Sequence, residues 1–345
     1  MALPSGQNAS GVPEESSDGP STSEILETVF LALVCVVGTV GNLLVILAIG
    51  TTRALQVRHN IFMVHLAVVD LITAAVLAPF FMFSLVNGGW PLDDKACLAI
   101  GYLTTICLTI SGMTVNGIAV CRAVTVIYTN PVERSRKLTR VILMISVVLV
   151  ALVAVVVTLP TAFGIGAVGY NEHLGHCSVK YTNTSEWYYC AILFLIGLVT
   201  TLTVVPVSYG LIFMAFHKSR MTVENMSLAS RTNPDSKARR SDKRVGPPKQ
   251  LSDRKLLSRD EIRLTRNLLL LYGVFLLCWI PYTSVLLADR NLTKTYAVHR
   301  ATNIFLWLNS CLNPLLYALM IRSFRQAYKR MLCKVFCGKG TSCIK

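Results

Sequence analysis

Seven long stretches of this 345-residue chain carry almost no charge, and apart from Glu27 at the start of the first, Asp70 is the only acid inside any of them. A lone carboxylate at such a depth is costly, so it must face a polar cavity, hold a cation, carry a proton or be tied by hydrogen bonds. Other polar groups sit in similarly apolar surroundings. Asn309, Asn313 and Tyr317 follow at i, i+4 and i+8 beside Pro314, so they share one face of a helix. Ser111 and Asn116 lie in the charge-free run from Ala96 to Cys121. One carboxylate among hydroxyls and amides suits a hard cation or a hydrogen-bond network. Covalent or acid–base catalysis would need paired acids, clustered histidines or a nucleophile with its base. One acid deep within the spans and scattered histidines offer none of these, so the chain reads as something other than an enzyme.

The elements that must position these groups are membrane helices. Mean hydropathy is +0.55 and only 15% of residues are charged, unlike a soluble domain. The charge-free runs are long enough to cross a bilayer as helices. They fall at about Ile25–Ile49, Ile61–Leu85, Cys97–Val120, Val141–Phe163, Tyr188–Phe216, Leu268–Ala288 and Ala301–Ile321. The third, rich in Ser, Thr, Gly and Asn, has the small polar side chains used in helix–helix contact and is expected at the centre of the bundle. The seven differ from one another, which argues against a transporter built from inverted halves. The predicted fold is an all-α seven-helix membrane bundle spanning residues 25–321.

All but five of the 33 Lys and Arg residues fall on one side of these spans; the exceptions are Lys95, Lys180, Arg290, Lys294 and Arg300. That bias predicts an external N-terminus and a cytoplasmic C-terminus. The net charge of +15 is then a topology signal facing anionic lipid and not a nucleic-acid surface. Residues 1–24 lack the basic and apolar regions of a leader and read as a disordered acidic tail. Residues 218–266 form a basic cytoplasmic loop whose ends extend the flanking helices. Within 322–345, Phe324, Ala327, Tyr328, Met331 and Leu332 oppose Arg325, Lys329 and Arg330, the pattern of an amphipathic surface helix. Sequons at Asn8, Asn183 and Asn291 lie on the external side, and a fourth at Asn225 does not. Cys97 and Cys177 are expected to form a disulfide on that side, with Cys190 as the competing partner. Cys333, Cys337 and Cys343 are candidates for acylation. Pro206 and Pro281 are expected to kink their helices.

In order along the chain stand Gly41-Asn42, Leu66-Ala67-Val68-Val69-Asp70, Cys97, Arg122, Pro206, Cys278-Trp279-Ile280-Pro281, Asn313-Pro314-Leu315-Leu316-Tyr317 and Phe324. As a set they resemble the rhodopsin-like (class A) G-protein-coupled receptors over about residues 25–333. The resemblance implies a plasma-membrane receptor with no cofactor beyond an allosteric sodium ion held by Asp70, Ser111, Asn309, Ser310 and Asn313. It implies a switch built from Arg122, Glu261, Trp279, Pro281, Asn313, Pro314 and Tyr317. Its partners would be a heterotrimeric G protein, met in part by basic residues such as Arg134 and Arg136, with arrestin, receptor kinases and membrane lipids.

NIFMVHLAVVD, NGGW before Cys97 and NSCLNPLLY followed by FRQAY are similar to the melatonin receptors and neighbouring orphan receptors. The ligand expected is a small molecule or lipid. Thr104 stands where amine receptors have an aspartate, and Trp307 where opsins have the retinal lysine. Thr161 and Tyr181 stand where melatonin receptors have their polar ligand contacts. Thr104, Cys107, Leu108, Thr161, Tyr181, Trp279, Tyr282 and Trp307 are the pocket candidates. The triplet Cys121-Arg122-Ala123 keeps the family's arginine and loses its neighbouring acid, which leaves Glu261 as its partner. The fourth span lacks the family's usual tryptophan. The triplet implies either agonist-independent signalling or weak coupling.

Overall fold

The computed structural model describes residues 22–57, 60–127, 136–232, 259–291 and 295–336. Its helices are α1 (Thr22–Thr51), α2 (Ile61–Val86), α3 (Asp94–Ile127), α4 (Arg136–Thr158), α5 (Thr184–Thr232), α6 (Arg259–Ala288), α7 (Tyr296–Met320) and α8 (Arg322–Phe336). The apolar stretches of α1 to α6 are each long enough to cross a membrane. The seventh qualifies only when taken together with α8, from which it is bent by 102°. The reason is visible in α7, where buried His299, Asn303, Asn309, Ser310 and Asn313 replace apolar residues.

The bundle is apolar on the outside as well as within. Leu33 and Val36 of α1, Val148, Leu149 and Leu152 of α4, and Leu277 of α6 are all exposed. Such a surface suits lipid, and helices suit it because they satisfy their own backbone groups. Polar groups turn inward instead. α3 is buried at intervals from Cys97 to Val126 and packs against α2, α4 and α5, which makes it the central helix.

Prolines shape the helices through the backbone bonds they cannot make. Pro314 has no N–H to give to the carbonyl of Ser310, four residues back. The Asn42 side chain takes its place, donating to Ser310 O at 2.8 Å and to Gly38 O at 3.0 Å. Gly41 permits this approach: a Cβ there would stand 2.8 Å from Pro314 Cβ. In α2 the turn Thr73–Leu77 widens into a π-turn just before Pro79. Such insertions accommodate a lost backbone bond and redirect the rest of the helix.

Three readings from the sequence need adjustment. The all-α expectation omits an antiparallel hairpin, β1 (Ala167–Asn171) with β2 (His176–Lys180), which pairs Tyr170 with Cys177. Gly175, at φ +75°, sits in its turn. α1 begins at Thr22, inside the segment assigned to the tail. α4 ends at Thr158 and continues to Phe163 as a 3₁₀ turn led by Pro160. α5 and α6 extend into the basic loop to Thr232 and from Arg259, as expected. Asn8, Arg134, Cys337, Cys343 and the middle of that loop lie outside the described residues.

Candidate ligand cavity and polar core

The hairpin closes one end of the bundle. Cys97, in the first turn of α3, is disulfide-bonded to Cys177 on β2, and Cys190 is buried and free. The competing pairing with Cys190 is thereby excluded. Gly101 lets the hairpin lie directly on α3, because a Cβ there would come within 2.5 Å of Val168 Cγ1. Buried side chains fix the hairpin against α7. His176 Nδ1 lies 3.2 Å from the Cys177 carbonyl and Nε2 3.1 Å from the Asn303 amide. That geometry fits a neutral ring donating from Nδ1 and accepting at Nε2. Burial pushes the His176 imidazole down to about 4, which keeps it neutral at ordinary pH. Asp289 and His299 form a buried pair at 2.8 Å, and Tyr181 Oη lies 3.5 Å from His299 Nδ1. Arg300 reaches Glu24 at 3.3 Å and Glu27 at 3.8 Å, joining α7 to α1.

Beneath the hairpin lies a cavity of about 140 Å³. Leu174, His176, Ser178 and Val179 form its roof, and all four are buried. α3 contributes Leu108, Gly112 and Asn116, α5 contributes Phe194 and Thr201, and α6 contributes Phe275, Trp279 and Tyr282. No Asp, Glu, Lys or Arg is among its lining residues. Two of its polar atoms are buried with no hydrogen-bond partner, Asn116 Oδ1 and Trp279 Nε1. Asn116 spends its amide on Thr201 Oγ1 at 3.2 Å. The cavity therefore presents one acceptor and one donor within an apolar shell. On its α4–α5 side the wall includes Val157, Gly197, Thr200 and Ile196, and Ile196 is 57% exposed. The cavity is thus roofed at the hairpin end, and on the α4–α5 side its wall is made in part by residues exposed on the lipid-facing surface.

Deeper in the bundle, the lone acid finds its partners. Asp70 is 1% exposed and accepts from Asn313 Nδ2 at 2.8 Å. Asn309 Nδ2 approaches Ser111 Oγ at 3.4 Å, and Ser310 is buried one residue along. Helices α2, α3 and α7 therefore bring together all five residues of the expected cation site. A carboxylate, two hydroxyls and two amides are oxygen donors of the kind a hard cation takes, so the set fits a sodium ion.

The sequence profile of the 7 transmembrane receptor (rhodopsin family) matches residues 41–317. The chain belongs to this family. The receptor is 27% identical to melatonin receptor type 1A of Phodopus sungorus, over 98% of this chain and 88% of that one. It is 25% identical to the G-protein coupled receptor moody of Drosophila melanogaster, over 94% of this chain and 53% of the other. Its fold matches squid rhodopsin with a TM-score of 0.74 at 22% identity, covering 97% of this chain and 94% of that one.

Of the eight pocket candidates, Leu108, Trp279 and Tyr282 line the cavity of the receptor. The other five are placed elsewhere. Thr104 returns its hydroxyl to the Ile100 carbonyl. Cys107 and Trp307 belong to a packed cluster with Phe81 and Leu77, where Trp307 meets Phe81 and His176 edge-on or tilted. Thr161 bonds Tyr102 at 3.0 Å, and Tyr181 is 1% exposed beside His299. Thr104, Cys107 and Trp307 thus lie on faces of α3 and α7 turned away from the cavity, and Thr161 and Tyr181 lie in the turn after α4 and beyond β2. The sequence reading also missed His65, whose Nδ1 lies 3.1 Å from Thr114 Oγ1. It missed the His176, Asp289 and His299 network as well.

At the α8 end, Arg122 is 7% exposed. Its neighbours Cys121 and Ala123 belong to a core that includes Tyr209 and Ile212 of α5 and Leu268 and Leu271 of α6. Tyr317 is buried and stacks on Phe324 of α8 at 5.2 Å, and Phe324 meets Tyr328 at 6.0 Å. The end of α7 and the start of α8 are therefore one packed unit. Glu261 continues α6, and its side chain lies outside the described residues.

Proposed function

We propose that this G-protein-coupled receptor responds to a compact, largely apolar molecule that enters its cavity from the membrane. The observation that carries the reading is the cavity itself, closed by the hairpin, walled on its α4–α5 side by exposed residues such as Ile196, and free of charged lining residues. A cationic amine has no counter-charge there, and retinal has no lysine to join. The free Asn116 carbonyl and Trp279 N–H suit a ligand with one donor and one acceptor. The positions assigned to melatonin's polar contacts, Thr161 and Tyr181, bond Tyr102 and His299. The ligand therefore differs from melatonin.

A ligand shifts such a bundle only by binding one arrangement better than another. Trp279 touches the cavity and stacks on Phe275 at 5.1 Å, two residues before Pro281 within α6. A ligand pressing on this pair acts on α6 directly. Asp70, Ser111, Asn309, Ser310 and Asn313 would hold sodium, whose charge neutralises the carboxylate and favours the arrangement with α2, α3 and α7 drawn together. Movement of α6 would open the α8 end, where Arg122 and Tyr317 meet the G protein. The hairpin end faces outward and α8 inward, in keeping with the basic residues at the α8 end. Exposed Asn183 and Asn291 are then glycosylated and Cys333 is acylated, while arrestin and receptor kinases act on the α8 side.

A photoactivatable alkyl diazirine in receptor liposomes tests the route. Adducts should concentrate on α3 between Leu108 and Asn116 and on α5 between Ile196 and Thr201. Labelling confined to the outer surfaces of α1 and α4 would refute the cavity as a lipid-accessible site.

A further inference from the structure

The ligand cavity distributes its hydrogen-bonding capacity unevenly. Each of its four lining threonines donates to a carbonyl of its own helix: Thr105 to Gly101, Thr109 to Thr105, Thr200 to Ile196 and Thr201 to Gly197, at 2.8 or 2.9 Å. Ser178 gives its proton to the Val179 carbonyl at 3.4 Å, and Tyr282 is hydrogen-bonded to Tyr181. A hydroxyl committed in this way keeps only acceptor capacity towards a guest. Asn116 adds to the surplus, because its amide is held by Thr201 while Oδ1 is buried without a partner. Among the described residues of the wall, Trp279 Nε1 is the one buried donor atom without a partner. An unpaired buried acceptor is costly, so a guest that brings a donor is favoured over one that brings acceptors alone.

Size and wall chemistry narrow the guest further. An apolar protein cavity of about 150 Å³ holds benzene, and this one is about 140 Å³. It has room for one ring and a small substituent. Its α3 side is bare at Gly112, where a Cβ would stand 3.8 Å from Phe275 Cζ and Trp279 Cη2. The α5–α6 side facing it is aromatic. Phe275 stacks on Trp279, and Phe194 meets Trp279 at 6.0 Å and Tyr282 at 5.0 Å. Such a wall takes an aromatic ring by offset or edge-on contact. With no Asp, Glu, Lys or Arg in the lining, a charged guest would be left without a partner, so a neutral one is required.

We propose that the ligand is a small phenol or aromatic alcohol, its ring lying between Gly112 and the aromatic wall and its hydroxyl donating to Asn116 Oδ1. The assignment rests on the reading of this cavity as the ligand site. A hydroxyl answers both orphan atoms in kind, because it donates to a carbonyl oxygen and accepts from an indole N–H. An ether or ketone of the same size only accepts, and it leaves Asn116 Oδ1 unpaired. Asn116 is thereby the residue that sets specificity, through an oxygen held in place by the amide's bond to Thr201 on α5.

The test titrates three fluorinated probes of similar size against the full-length receptor in nanodiscs. Ligand fluorine NMR gives the affinities, with empty nanodiscs subtracted. At neutral pH, para-fluorophenol should bind about tenfold more tightly than para-fluoroanisole, the cost of one unpaired buried acceptor. The cationic para-fluorobenzylamine should not bind. Asn116→Leu should erase the preference for the phenol while retaining the anisole. Thr201→Val breaks the same α3–α5 bond but keeps Asn116 Oδ1, so the preference should persist there. Thermal midpoints check that each variant is folded, and the wild-type comparison stands without them. Loss of the preference in Thr201→Val as well would trace it to the α3–α5 bond and overturn direct contact with Asn116. Equal affinity of wild type for phenol and anisole, both blocked by Gly112→Phe, would overturn the proposal and leave the cavity as the ligand site. Binding that Gly112→Phe leaves intact would overturn that reading as well.

Discussion

Two polar regions are buried in this receptor, and they are built for different work. At the hairpin end, Asp289 pairs with His299, Tyr181 joins that pair, and His176 is held by Asn303. These groups lie at loop–helix junctions, and their partners fasten a roof. In the bundle middle, Asp70, Ser111, Asn309 and Asn313 come from three helices and nothing but helices. Locking such a set would lock the bundle, whereas a polar cluster that can exchange partners lets helices shift without exposing a charge to lipid. The hairpin end is therefore the rigid part and the mid-bundle cluster the adjustable one.

Mutations at the roof should cost stability, and those at the mid-bundle cluster should change signalling with little loss of fold. The largest effect is expected from Cys97→Ala or Cys177→Ala. The disulfide closes a span of 80 residues, a constraint worth about 4 kcal/mol. Thermal unfolding of purified receptor should show the loss together with reduced surface expression. Asp289→Ala leaves His299 buried without its carboxylate and should cost about 3 kcal/mol, with Asp289→Asn costing less. Equal stability of wild type and Asp289→Ala would mean the roof is not held by this pair.

The roof should also be acid-sensitive. Burial holds the folded His176 near 4 against 6.5 for the free side chain. Protons therefore favour the unfolded chain, and the stability present above pH 6.5 is lost as pH falls towards 4. The loss should reach about 3 kcal/mol at the lower limit, judged from the size of the shift. His176→Gln should flatten that part of the stability curve.

Smaller changes are expected in the middle of the bundle. Asp70→Asn keeps a partner for Asn313 and removes the charge, so the fold should survive while any sodium dependence of agonist affinity vanishes. A sodium effect that persists in Asp70→Asn would place the ion elsewhere. The smallest effect concerns the triplet around Arg122. Cys121→Asp should restore a neighbouring acid and lower agonist-independent nucleotide exchange by a few-fold, about the effect of one charged hydrogen bond near an interface. An unchanged basal rate would show that the missing acid is not what sets it.

The mid-bundle cluster was legible in the sequence and the roof was not, for a physical reason. Asp70, Asn313 and Pro314 sit inside uninterrupted apolar runs, where any polar residue announces a constraint. Even the capture of the Ser310 carbonyl by Asn42 follows from a proline and a Gly-Asn step. Histidines at positions 176 and 299 lie outside or at the edge of such runs, where polar residues are ordinary. His176 finds Asn303 127 residues away and His299 finds Tyr181 118 residues away, although its carboxylate partner Asp289 is only 10 residues distant. The cavity was half legible. Trp279, Tyr282 and Leu108 reach it, but the rotation of α3 and α7 that turns Thr104 and Trp307 away depends on packing no local pattern encodes. The hairpin was missed because two five-residue strands beside glycines look like any loop.

The central claim is that an apolar ligand in the cavity beneath the roof drives G-protein activation. Gly112 offers the most direct test, since a Cβ there would stand 3.8 Å from Phe275 and Trp279, and a larger side chain would fill the cavity. The measurement is nucleotide exchange on a G protein, across a panel running from membrane-partitioning to membrane-excluded compounds. It compares wild type with Gly112→Phe at matched receptor density. The account predicts that active compounds are membrane-partitioning and that Gly112→Phe abolishes their effect while basal exchange persists. A charged, membrane-excluded agonist that acts equally on both proteins would contradict it.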